Sequence, residues 1–76
     1  MHIYHSGNSG VVAYNVGPNF IIVQFKGGDR YLYNYVTPGR KHVEAMKKLA
    51  SRNEGLSTYI SQHVKDHYAA KLGHAA

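Results

Sequence analysis

Two strand-like runs, FIIVQFK (20–26) and RYLYNYV (30–36), are joined by only Gly27-Gly28-Asp29. A link that short leaves neighbouring strands one arrangement, an antiparallel hairpin. The run GVVAYNV (10–16), rich in β-branched residues, precedes them across the turn Gly17-Pro18-Asn19. The pattern therefore predicts a three-stranded antiparallel meander. Residues 1–10 are polar and glycine-containing, with room for a short strand at His2–His5.

In a strand, alternate side chains share a face, so Tyr31, Tyr33 and Tyr35 line up together. A two-residue Gly27-Gly28 turn would set Gln24 opposite Tyr31 and mix apolar and polar residues on both faces. A three-residue Gly27-Gly28-Asp29 loop pairs Phe25 with Tyr31, Val23 with Tyr33 and Ile21 with Tyr35. One face is then wholly apolar and aromatic, and the only unfavourable contact is Lys26 opposite Arg30. Such a like-charge pair costs under about 1 kcal/mol, whereas each buried apolar side chain contributes about 1.5–3 kcal/mol. The second register is expected, with the tyrosines against the rest of the fold and Tyr31 reaching its rim. Phe20, Ile22, Leu32 and Val36 then share the opposite face. That face is too apolar to stand open in water and marks an association surface.

After residue 36 the period changes. Thr37-Pro38 reads as N-cap and first position of a helix. Val43, Met46, Leu49 and Ala50 form one helical stripe. Asn53-Glu54-Gly55 ends that helix, with Gly55 suited to a left-handed cap. A second helix is predicted from about Ser57 to Leu72, because Leu56, Ile60, Val64, Tyr68 and Leu72 recur every four residues, and Gly73 would terminate it. The expected architecture is a single α+β domain over 1–76, a β-β-β-α-α chain with both helices packed on one sheet face.

The 76 residues include no cysteine, which excludes disulfides and thiolate-bound zinc and fits a reducing compartment. A domain this small buries only about 60% of its unfolded surface. Without staples it gains burial by pairing with itself, so a homo-oligomer is expected. No apolar run suffices to span a bilayer, and the opening MHIYHSGNSG lacks a signal-peptide core, so a cytoplasmic protein is expected, with no membrane partner.

Nine Lys plus Arg stand against four Asp plus Glu, a net charge of +5 with the six histidines neutral. That balance attracts anions. Arg40, Lys41, Lys47, Lys48 and Arg52 crowd the first predicted helix, with Lys65 and Lys71 on the second. Arg40 and Lys41 lie near a helix N-terminus, where backbone amides favour phosphate. His63 and His67 in HVKDH have the H-x3-H spacing that shares one helix face; with no third ligand evident they read first as packing or polar-rim residues flanking the core, then as ligand contacts, and last as a metal site. Neither a nucleophile elbow nor a Walker or dinucleotide glycine pattern is present, and four acids leave little scope for a carboxylate pair. A non-enzymatic protein without a cofactor is expected.

The segment YLYNYVTPGRKHVEAMKKLA…GLSTYISQHVKDHYAAKL, preceded by IIVQFKGGDR, resembles the KTSC domain, found at the C-terminus of some lysyl-tRNA synthetases and as small stand-alone bacterial and phage proteins. The resemblance covers about residues 9–71. It rests on an apolar strand ending in a basic–glycine turn, the central Tyr31-Leu32-Tyr33, a helix, Gly55, and a second helix ending in an aromatic residue. Here NYVTPGRKH is longer than the family's linking segment, and STYISQH lacks its arginine-rich stretch. The resemblance implies a binding module, with RNA as the suggested ligand and no catalytic residues. The functional expectation is capture of a phosphate-bearing ligand, RNA or a nucleotide, by Arg40, Lys41, Lys47, Lys48 and Arg52, with Tyr31, His63 and His67 contacting a base. The alternatives are an oligomer that sequesters a small signalling nucleotide, and a protein-interaction or inhibitor module using Phe20, Ile22, Leu32 and Val36.

Overall fold

The computed structural model describes residues 2–4 and 10–74. Five strands, β1 (His2–Ile3), β2 (Val11–Gly17), β3 (Phe20–Phe25), β4 (Asp29–Asn34) and β5 (Ala70–His74), form one antiparallel sheet in chain order. Between β4 and β5 lie α1 (Arg40–Ser51) and α2 (Leu56–Tyr59), which continues into a π-helical turn, Ile60–Val64. The fold is α+β as expected, with five strands in place of three. None of its helices is long and apolar enough to cross a membrane, among the described residues.

The predicted strands are rich in β-branched and aromatic residues, and burial alternates along β2 and β3. Ile21, Val23 and Tyr33 are buried on one face, with Phe25, Tyr31 and Tyr35 packed beside them. The helices cover that face through Val43, Met46 and Ala50 of α1 and Leu56, Ile60 and Val64 of the second helix. The pairing is Ile21 with Tyr33 and Val23 with Tyr31, so the hairpin loop is Lys26-Gly27-Gly28 and the register lies two residues from the expected one. A slip of two keeps every side chain on its face. Gly27 and Gly28 both take φ of +101°, and the Gly28 amide donates to the Phe25 carbonyl at 2.9 Å. Only glycine adopts such angles freely. The shift also leaves Lys26 in the loop instead of opposite Arg30.

The second helix stops at Val64, eight residues short of its predicted end. Lys65 takes φ 54°, ψ −122°, which no helix can continue. The chain then extends. The Ala69 amide donates to the Leu32 carbonyl at 2.7 Å, and β5 pairs along β4. This covers backbone groups of β4 that would otherwise form an open edge. Gly73, expected as a helix stop, lies in β5 opposite Arg30.

The start of α1 also differs. Gly39 is its N-cap, the Thr37–Pro38 peptide is cis, and Pro38 bridges to Asn34. The Asn34 carboxamide oxygen accepts from the amides of Val36 at 3.0 Å and Thr37 at 2.9 Å. This Asx turn carries the chain off the sheet. Val36 is therefore 88% exposed at a turn and is not part of the sheet face assigned to it. Phe20, Ile22 and Leu32 do share the open face, with Ile22 directly opposite Leu32.

Candidate functional site

The basic residues of α1 divide into two groups. Arg40 and Lys47 lie over the Tyr35 ring, at 5.6 and 5.7 Å from its centroid. Lys47 also pairs with Glu44 at 3.0 Å and donates to the Pro18 carbonyl at 3.1 Å. The Tyr35 hydroxyl donates to the same Glu44 carboxylate at 2.8 Å. These contacts fasten α1 to the β2–β3 turn, so Lys47 in particular has structural work.

Lys41, Lys48 and Arg52 differ. All three are exposed and have no side-chain partner among the described residues. At 100° per residue they fall within about 40° of arc and extend over about 16 Å of helix. The α1 first turn contains no acidic residue. Lys48 also borders a groove of about 460 Å³ between the helices, lined by Glu44, Ala45, Leu49 and Tyr59. Beside it the Tyr59 hydroxyl lies 2.8 Å from His42 Nδ1, and the Tyr59 and His63 rings are 4.7 Å apart. Lys48 thus shares a groove with the Tyr59 ring, a combination of cation and ring that also occurs on surfaces for single-stranded nucleic acid.

His67 does not join His63. His63 is in the π-helical turn, whereas His67 lies beyond it, its amide donating to the Val64 carbonyl at 3.0 Å. The shared helix face expected of them is lost with the helix. No group of three or more His, Cys, Asp or Glu side chains is placed to hold a metal, among the described residues.

Tyr31 lies elsewhere, in a cleft of about 320 Å³ between the hairpin and the end of the second helix. Phe25, Tyr31 and Tyr68 form its aromatic wall, with Tyr33 and Ile60 below and Asp29, Lys65 and Asp66 around it. Tyr31 contacts Phe25 edge-on at 5.6 Å and Tyr68 at 4.6 Å between centroids. The Lys71 ammonium lies 5.8 Å over the Tyr31 ring. Burial pushes the pKa of the Tyr33 phenol far above the ordinary tyrosine value, and nearby Tyr31 and Tyr68 add to it. Phe25, Lys65, Asp66 and Tyr68 were not assigned to a site from sequence. Only the reversal at Lys65 assembles them, and the one local sign of it is the polar run Lys65-Asp66-His67 after the last buried helical residue.

Comparison of the chain with protein-family models, with curated proteins and with solved structures found no match.

Proposed function

We propose that the chain is a cytoplasmic, non-enzymatic binding module for a phosphate-bearing ligand, with RNA the ligand that its surface suits best. The observation that carries this reading is the outward row of Lys41, Lys48 and Arg52, with Lys48 bordering the groove that Tyr59 lines. Cations spread along a helix match a chain of phosphates better than one compact anion. The KTSC resemblance implies the same ligand. Anisotropy with a labelled single-stranded RNA tests it. Three phosphate contacts give a slope of about −2 in log K against log salt. The variant with Lys41, Lys48 and Arg52 all changed to Gln should lose most of that slope. A salt-independent affinity, or full binding by the variant, overturns the reading.

A second observation favours self-association. Ile22, Leu32 and Phe20 share the open sheet face, and strand alternation adds Ile3, which is 61% exposed. Arg30 is on the same face, and its Nε is buried without a hydrogen-bond partner among the described residues. We infer from the exposed apolar residues that a second copy packs face to face here. Five strands at about 4.8 Å spacing give a small face, so the pair is at the low end of specific interfaces, below about 1,200 Å² in total. Sedimentation should show a dimer that dissociates on dilution and is abolished by Leu32→Glu. A strict monomer at all concentrations rejects it.

A further inference from the structure

The cleft walled by Phe25, Tyr31 and Tyr68 has no part in the RNA row and lies on the other flank of the second helix. Tyr59 faces α1 through His42, whereas Ile60 and Lys65 line the cleft. We propose that this cleft is a separate site for one nucleoside phosphate, its base against the tyrosine and phenylalanine rings and its phosphate between Lys65 and Lys71. The inference rests on the phosphate-bearing ligand of the preceding reading but assigns it a different surface.

Size comes first. A volume of about 320 Å³ is at the lower end of the range for small-molecule sites. Shape and chemistry come next. Tyr31 contacts both Phe25 and Tyr68, so the three rings offer an apolar wall to a planar group. A cationic guest is disfavoured, because the Lys71 ammonium already takes the cation position over Tyr31. Lys65 lines the cleft and the Lys71 ammonium stands over the Tyr31 ring, two positive charges set against the carboxylates of Asp29 and Asp66 on the same lining. Asp66 supplies an acceptor suited to the exocyclic amine of a base. An anionic group and an amine-bearing ring together describe a nucleotide.

The backbone provides an independent sign. Lys65 is a non-glycine residue at φ 54°, ψ −122°, directly after a π-helical turn closed by its own amide on the Ile60 carbonyl. Both features are rare and concentrate at functional sites. A regular α-helix through residues 65–72 would carry Lys65 and Tyr68 away from β4. The irregular exit is what places them at the cleft.

The shared chemistry belongs to a free nucleotide and to the terminal nucleotide of an RNA strand. An amide NMR titration with AMP, adenosine, inorganic phosphate and a short single-stranded RNA separates them. AMP should shift residues 31, 65, 68 and 71 and leave 41, 48 and 52 in place. Adenosine and inorganic phosphate should each bind about tenfold more weakly than AMP, as expected when one charge-assisted contact or the stacking surface is missing. Lys65→Gln and Tyr68→Leu, each checked for an intact spectrum, should weaken AMP by a similar factor. RNA that shifts both surfaces identifies the terminal nucleotide as the guest, and RNA that shifts only 41, 48 and 52 identifies the free nucleotide. AMP shifts confined to α1, phosphate binding as well as AMP, or no AMP shifts at all overturn the cleft site. None of these outcomes touches the salt dependence on which the RNA row is judged.

Discussion

The hydroxyl of Tyr4 accepts a hydrogen bond from the Leu56 amide at 3.0 Å, across 52 positions of sequence. Gly55, in a left-handed conformation, is the N-cap of α2 and has no side chain to satisfy the first helical amides. The Tyr4 phenol does so from beneath, and it is 95% buried in the process, being 5% exposed. Tyr4→Phe keeps the ring but orphans a buried donor. It should cost about 1–2 kcal/mol in urea unfolding. Tyr4→Ala should cost more, about 3–5 kcal/mol, through the cavity it leaves. A neutral Tyr4→Phe would show that the cap contributes nothing.

On the open face, the Phe20 ring lies against Gly17. A Cβ added to Gly17 would fall 2.0 Å from the ring edge. Gly17→Ala must therefore rotate Phe20 off the strand, and since a side-chain end can move, the cost should be about 1 kcal/mol rather than a collapse of the hairpin. In a Phe20→Ala background the same substitution meets no ring and should be nearly free. The double-mutant cycle measures that coupling; additive losses would mean the two residues do not interact.

How much of this was legible depended on whether the sequence period had one meaning. Ile21, Val23 and Phe25 share one parity, as do Tyr31, Tyr33 and Tyr35, so their common face could be read even with the register two residues off. The α1 stripe of Val43, Met46 and Ala50 fits only a helix. Leu56, Ile60, Val64, Tyr68 and Leu72 were ambiguous, because a spacing of four is near one helical turn and is also an even number of strand residues. Leu56, Ile60 and Val64 took the first meaning and are buried. Leu72 took the second, and the deciding factor was the unpaired edge of β4, which no local pattern records. The cleft was illegible for the same reason, since Tyr31 and Tyr68 meet only after the chain reverses. The outward position of Lys41, Lys48 and Arg52 followed directly from the helix.

Two ionisable groups give a pH dependence of opposite sense. The Glu44 carboxyl is held below its ordinary value first by its hydrogen bond with Lys47 and then by that from Tyr35. Its stabilising effect is present above the ordinary carboxylate pKa and disappears as pH falls through the lowered folded value. Wild type and Glu44→Gln should therefore converge in Tm at acid pH, with only a small gap at neutrality because the group is exposed. Tyr33 is the reverse: burial raises its phenol. Its contribution is complete below the unfolded value of about 10 and is lost as pH rises beyond it. Tyr33→Phe should flatten the alkaline decline seen in a series of urea midpoints. An unchanged alkaline limb in the variant would assign the decline to other groups.

Lys65 joins the irregular backbone to the cleft chemistry, and two substitutions separate those roles. A non-glycine residue in this conformation costs about 1–3 kcal/mol, and glycine relieves it at an entropic cost of about 0.5–1 kcal/mol. Lys65→Gly should thus stabilise the domain by about 1 kcal/mol, raising the urea midpoint at constant slope. Lys65→Gln keeps the strain and should leave the midpoint unchanged. Both remove the ammonium, so both should weaken AMP by about tenfold. A domain that becomes more stable while binding less would show that the wild-type lysine is retained against the preference of its own backbone. If Lys65→Gly instead lowers stability, the exit from the second helix is held by the lysine side chain, and the strain has no functional meaning.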